Sequence, residues 1–429
     1  MTTPEKTFGF MRGNILVLTL SGALGMFSRS MVFPYAPLLI LSLGGQPAEI
    51  GIVYALGPLG GLLVYPIAGY LADHFNRAKL IAFTGYFASL TILINVVAPS
   101  WQWLAVARLL QGFAVVQHPA SSALIADSLS PQSRGRGMAT MMSLSGALAI
   151  VAPYAAGLVL DALGIDVGMR VLYAGMALAY AVGATINLLC IKETTQPQQG
   201  PLRAAHLAST LRSTYADLPT FLSQFPRALK AMTAIIIVGF MANAVAGPFW
   251  VVYAQEHIGL TPTQWGTVLL VEAALGHIVR IPAGFMTDRY GRTRFILASL
   301  LLSTAVIPLF AVAQTFTHVL AIRCVVALTM ASFGPACGAL LADIIPRAMR
   351  GRVMAAIGRG SVRIGAATGG NGGPGVGFLT IVPMALASLV GGFFYAWDPV
   401  LSWAILLAST ALAFLLAALF VRDAQRAED

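Results

Sequence analysis

Glu272 is the only carboxylate lying well inside an apolar stretch of this sequence, and it shares that stretch with His277 and Arg280. Ionisable groups held within apolar helices usually mark an ion or substrate path, which makes Glu272 the leading proton-carrier candidate. A structural hydrogen bond to a neighbouring helix is the plainer alternative. Glu272 and Arg280 stand about 12 Å apart along a helix axis, so each needs a partner on another helix, or a ligand or water chain between them. His277 falls about 140° around the helix from Glu272, which disfavours a two-residue relay and favours packing.

Cationic and polar side chains recur in other apolar stretches: Arg29, Arg108 with Gln111 and His118, Asn243 with Trp250 and Tyr253, and Arg323. Arg108, Gln111 and His118 fall within about 80° of one face of a single helix, the geometry of a cavity lining. An uncompensated positive charge in low dielectric seeks a negative partner, so more arginine than carboxylate favours anions or polarisable groups. Bonds to neighbouring helices would satisfy the same arginines.

The elements that must position these residues follow from composition. Hydrophobic residues make up 58% of the 429 and charged residues only 10%, against about 45–50% and about 25% in soluble domains. Runs of roughly 20 apolar residues suit helices crossing a bilayer, and they lack the alternation of spanning strands. The expected spans are 14–40, 48–72, 79–98, 102–126, 138–161, 170–190, 231–254, 264–287, 294–314, 316–342, 376–396 and 400–421, twelve in all. Outside the spans every Lys and Arg except Arg170 falls on one side, which places both chain ends in the cytoplasm by the positive-inside rule. The formal charge of +10 thus reports orientation and lipid contact rather than nucleic acid. Cys190, Cys324 and Cys337 have neither disulfide nor metal-ligand spacing.

The polar stretch 193–230 reads as a linker between halves 1–192 and 231–429. A second irregular stretch, 353–375, carries Arg359, Arg363 and the run Gly369-Gly370-Asn371-Gly372-Gly373. It is expected to form a short cytoplasmic helix and loop, because a thirteenth span would carry the basic tail outside. One half repeats the other. Pro47, Gly51, Gly69 and Asp73 recur as Pro262, Gly266, Gly284 and Asp288, each 215 positions on; Asp127 and Arg134-Gly135-Arg136 recur as Asp343 and Arg350-Gly351-Arg352, 216 positions on. Parallel repeats place a transporter's binding site near the midplane, between the halves.

The loop Gly284-Phe285-Met286-Thr287-Asp288-Arg289-Tyr290-Gly291-Arg292 resembles the signature loop of the major facilitator superfamily almost letter for letter. The first copy, around Gly69, Asp73 and Arg77, differs in having His74 where a basic residue is usual and Asn76 in place of glycine. Asn tolerates a left-handed turn, so the bend can survive there. Arg108-Leu109-Leu110-Gln111-Gly112 resembles the family's Arg-x-x-Gln-Gly motif, and Ala152-Pro153 with Gly157 partly resembles the signature of its drug:proton antiporters. The resemblance implies a cytoplasmic latch of Asp73, Arg77 and Asp127, mirrored by Asp288, Arg292 and Asp343, with Gly69, Gly284 and Gly291 shaping the loops and Arg134, Arg289 and Arg350 adding charge. It also implies an all-α fold of two pseudo-symmetric six-helix bundles.

The expected function is secondary transport by alternating access: a monomer in the cell membrane, using no cofactor, coupled to protons and moving small organic molecules. Efflux leads, and proton-linked or exchange transport of organic anions is the alternative. A membrane-embedded enzyme would need convergent acids, histidines or a nucleophile, and a pump would need a phosphate-cradling motif; neither is present in the sequence. A non-transporting sensor is the remaining class.

Overall fold

The computed structural model describes residues 11–130, 134–194, 218–345, 349–358, 365 and 377–421. Among these, eleven helical stretches are long and apolar enough to cross a membrane. The twelfth crossing, the fourth in order, is interrupted: helix Trp101–Gly112 passes through a 3-10 turn, Phe113–Val116, into helix Gln117–Ser128. The chain is a multi-pass helical membrane protein with the expected number of crossings.

Proline and capping chemistry explains several boundaries. The first span breaks between Asn14–Val32 and Ala36–Ser42, and the seventh between Arg227–Ala246 and Phe249–Glu256. Pro34 and Pro248 fall at these breaks, where a missing N–H and a fixed φ interrupt the helical ladder. Pro47 and Pro262 open the second span, Pro47–His74, and the eighth, Pro262–Tyr290, in the same way. Each occupies the first turn, where its absent donor costs nothing, behind a capping box of Gln46 with Glu49 or Thr261 with Gln264. Two of the sequence anchors that revealed the duplication are therefore helix starts.

The halves meet through two equivalent crossings, the second span against the eleventh (Phe378–Trp397) and the eighth against the end of the fifth (Ala152–Leu163). A Cβ on Gly51 would lie 2.6 Å from Ser388 O, and one on Gly266 would lie 2.6 Å from Pro153 O. Glycine is required there because backbone meets backbone. Tyr35 reinforces the joint, its hydroxyl lying 2.8 Å from Pro153 O and 3.0 Å from Pro262 O. Thr263 N–H donates to Asp161 across the same seam at 3.0 Å. All these contacts lie at the end of the bundle remote from the basic loops. At the basic end, a Cβ on Gly69 or Gly284 would find nothing within 4 Å. Among the described residues the halves are joined at one end, while at the other these two glycines face open space.

The irregular stretch before the eleventh span differs from the sequence expectation. Helix Arg350–Ile357 buries Val353, Ala356 and Ile357 in the core rather than lying on the surface. Gly377 abuts Ala356 O and Gly358 N, so the chain returns to the point it left and the eleventh span continues the line of this short helix. The first half shows the same arrangement without the interruption. Gly157, against Pro262, and Gly392, against Pro47, occupy equivalent places but stand 235 positions apart rather than 216. The eleventh crossing thus begins near Arg350 and carries an insertion inside it. Gly365, the one described residue of that insertion between Gly358 and Gly377, lies in the second half's interior against Ile307 and Val326. Glycine-rich sequence reads as surface loop because its backbone groups need partners; those of Gly365 are supplied by Asn243 and Arg323. Arg359, Arg363 and the Gly369–Gly373 run lie outside the described residues.

Candidate functional site

The strongest polar constellation is built on the eighth and tenth spans. Arg323, on helix Phe316–Ile344, is 0% exposed, and its Nε and Nη2 donate to both oxygens of Glu272 at 2.6–2.9 Å. Planar forks of this kind are the strong form of the ion pair. Arg323 Nη1 donates to Gly365 O at 2.6 Å, while Gly365 N–H donates to Asn243 Oδ1 at 2.8 Å. The guanidinium also lies 4.5 Å from the centre of the Trp250 ring. Trp250 itself packs edge-on against Phe310 and Trp403. Glu272 keeps 21% of its side chain exposed, so it is the accessible member of a pair whose other member is sealed. Protonating that carboxylate would remove the charge Arg323 is paired with.

Glu272, Arg323 and Asn243, separate candidates in the sequence, come together around Gly365. That residue was missed, although the changed repeat interval between Gly157 and Gly392 was a signal for it. Arg280 is exposed. His277 turns Nδ1 to Ala273 O at 2.8 Å and presents Nε2 to Gly146 of the fifth span.

The first half carries the equivalent arginine in different company. Arg108 lies 4.8 Å from the centre of the Phe33 ring and 4.9 Å from that of Tyr54; Arg29 lies 4.8 Å from the same Phe33 ring. Among the described residues no carboxylate pairs with either. Arg108 and Gln111 line a small crevice with Tyr54, Asn95 and Tyr173. His118 does not line it. The 3-10 turn at Phe113–Val116 lies between Gln111 and His118, so the single-face projection of the sequence reading does not carry across.

At the basic end both loop triads assemble. Arg77 Nη1 meets Asp127 Oδ2 at 2.7 Å and Nη2 lies 3.8 Å from Asp73. Arg292 pairs with Asp343 and lies 3.9 Å from Asp288. Each triad is internal to its own half. Gly291 closes the eighth span with φ +97, a left-handed conformation suited to glycine. Its counterpart Asn76 does otherwise: with φ −58 it caps the third span (Arg77–Val97), its Oδ1 accepting from Lys79 N–H at 2.9 Å. The left-handed turn expected of Asn76 is not used, because an asparagine side chain can cap a helix directly. Arg134 donates to Ala126 O at 2.8 Å, and Arg289 lies 5.5 Å from the Tyr290 ring. Arg350 opens its short helix. Among the described residues no cluster of His, Cys, Asp or Glu is arranged to hold a metal.

Comparison with solved structures shows the same fold. A bacterial homologue of the human lysosomal transporter Spinster, crystallised inward-facing and unoccupied, superposes with a TM-score of 0.68 at 15% identity, over 100% of both chains. The nucleoside transporter NupG gives 0.66 at 14% identity, over 95% of this chain and 99% of its own. Among curated proteins, the multi-drug resistance efflux pump PmrA of Streptococcus pneumoniae is 24% identical over 76% of this chain and 80% of its own. The multidrug resistance protein MdtG of Escherichia fergusonii is 24% identical over 70% and 72%. The class H tetracycline resistance protein of Pasteurella multocida is 22% identical over 67% and 69%. The Major Facilitator Superfamily family matches residues 18–244 and again 232–429, and with the duplicated bundle and paired signature loops this places the chain in that superfamily of transporters rather than among enzymes.

Proposed function

We propose that this chain exports small organic molecules in exchange for protons, with Glu272 as the proton-carrying group and the basic end of the bundle facing the cytoplasm. The carrying observation is the sealed Arg323 joined to a part-exposed Glu272. When Glu272 takes a proton, Arg323 loses its partner and must relax toward Gly365, Trp250 or incoming water. A buried cation losing its counter-ion is a large local perturbation, and the spans that carry the pair, the eighth and tenth, belong to one half. The eighth span also forms the seam with the fifth, so a change at Glu272 is felt where the halves are joined.

The latch reading completes the cycle. Gly69 and Gly284 sit open at the basic end, while Gly51 and Gly266 are closed against backbone at the other. In the alternate state these roles exchange, the loop triads anchoring the basic-end contact. The relatives named for efflux of drugs and tetracycline support the direction of transport. We take the working unit to be a monomer, with lipid facing the outer surfaces of both bundles.

The test is substrate-dependent proton movement in everted vesicles. Glu272→Gln keeps the shape and a hydrogen bond to Arg323 but cannot carry a proton. It is expected to abolish gradient-driven transport while leaving substrate exchange without a gradient. Retention of proton-linked transport by the variant overturns Glu272 as the carrier.

A further inference from the structure

The two halves set the same arginine in opposite circumstances, and the difference has the shape of a ligand. Arg108 and Arg323 are 215 positions apart, as are Gly57 and Glu272. In the second half the carboxylate of Glu272 grips the arginine. In the first half Gly57 faces Arg108 with no side chain, and a Cβ there would lie 3.8 Å from Arg108 Cγ. The place that holds a carboxylate in one half carries no side chain in the other. Arg29 crowds a second positive charge onto the same Phe33 ring. The Tyr54 hydroxyl, on a side chain 2% exposed, lies beside the Arg108 guanidinium without a well-directed hydrogen bond. Two cations and a buried hydroxyl donor gather around one site where, among the described residues, no carboxylate pairs with either cation.

We propose that the transported molecule carries a carboxylate, and that this group docks on Arg108 and Arg29 beside Gly57, where the chain supplies no side chain of its own. The proposal rests on the transport reading above and names its substrate class: organic anions with an apolar body. Charge decides against a lipophilic cation, which would meet two guanidiniums where a membrane-embedded positive charge already lacks a counter-ion. A carboxylate supplies what the second half builds in, a planar acceptor for an arginine fork. Tyr54 can donate to the same group, and the Phe33 and Tyr54 ring faces hold the guanidiniums in place.

The experiment uses the full chain in lipid nanodiscs and three probes sharing one aromatic body: 2-naphthoate, 2-naphthamide and 2-naphthylmethylamine. Binding is followed by calorimetry and by ligand-dependent melting, and exchange is followed in liposomes without a proton gradient. The carboxylate is expected to bind at least about tenfold more tightly than the amide, the scale of a hydrogen bond to a charged group. Arg108→Gln removes that preference. Gly57→Glu should remove it too, by giving Arg108 an internal partner, while Gly57→Gln adds similar bulk without charge and weakens it much less. Arg29→Gln reduces it part way. Melting of each unliganded variant shows that the fold is kept. Preference for the amine or amide, anion preference that survives both Arg108→Gln and Gly57→Glu, or no binding of any probe by folded protein overturns the proposal. None of these measurements needs proton coupling, so they remain readable in Glu272→Gln. Failure of the proton reading would leave the anion preference intact, and failure of the anion site would leave proton-linked transport of other compounds.

Discussion

Arg323 and Arg108 occupy equivalent points of a duplicated bundle, yet one is locked by a carboxylate and the other is part-buried with no carboxylate paired to it among the described residues. Arg323 has a carboxylate, a carbonyl and an indole face around it; Arg108 has two ring faces and a neighbouring arginine. Duplication begins with identical halves, so such a difference separates what packing requires from what chemistry requires. The locked half suits a switch whose two states are both made of protein. The open half suits recognition, in which the missing part arrives from outside.

The largest effect that tests this contrast is loss of the acid. Glu272→Ala leaves Arg323 buried without its counter-ion, a change expected to cost about 3–5 kcal/mol where the surroundings cannot relax. Arg108→Ala strands no partner acid and should cost far less. Melting in detergent, followed by tryptophan emission, compares the two. If adding Arg323→Met to Glu272→Ala restores much of the loss, the cost lay in the stranded charge. Equal losses for Glu272→Ala and Arg108→Ala would break the comparison.

The number of crossings, the duplication and the loop triads were legible in the sequence because each depends on local or periodic information: apolar length, proline at helix starts, and charges flanking a tight loop. Partnership between Glu272 and Arg323 was not. They are separated by 51 positions and lie on helices whose facing surfaces depend on how the spans pack. Hydropathy also hid the insertion before the eleventh span. Its glycines resemble a surface connector, whereas Gly365 is accommodated inside because Asn243 and Arg323 complete its backbone hydrogen bonds. Likewise, the periodic face assigned to Arg108, Gln111 and His118 assumed one continuous helix, and a single 3-10 turn was enough to separate His118 from the other two.

A second, smaller effect concerns the seam. Gly51→Ala places a methyl 2.6 Å from Ser388 O and 2.9 Å from Gly392 Cα, both backbone atoms that cannot swing aside. Overpacking of this kind costs about 1–3 kcal/mol, here charged only to the state closed at that end. Gly69→Ala meets nothing in this state and should instead disfavour the alternate one. Distances between spin labels at the two ends should therefore shift in opposite directions for the two variants. A shift in the same direction would mean that the glycine pairs do not exchange roles during the cycle.

The smallest effects belong to the loop triads, because their acids are exposed and part-exposed ion pairs contribute only about 0.2–1 kcal/mol. Even so, the two copies differ in a measurable way. In the first, Asp127 also accepts from Thr194 at 3.3 Å, and Asn14 joins Lys192 by two hydrogen bonds, so the end of the sixth span is fastened to the loop region. Glu193 further accepts from Ala78 N–H at 3.3 Å. The second triad has Arg292 joined to Asp343 and to Ala339 O. Removing the arginine should thus loosen the second loop more than the first. Hydrogen exchange of the amides around Asn76 and Gly291 is expected to rise modestly in Arg77→Ala and more in Arg292→Ala. The excess should shrink at high salt, which screens exposed pairs but leaves the neutral hydrogen bonds of the first copy in place. A larger response in Arg77→Ala would show that the first copy depends on its ion pairs as much as the second does, and that the fastening at Lys192 and Thr194 contributes nothing to holding the loop.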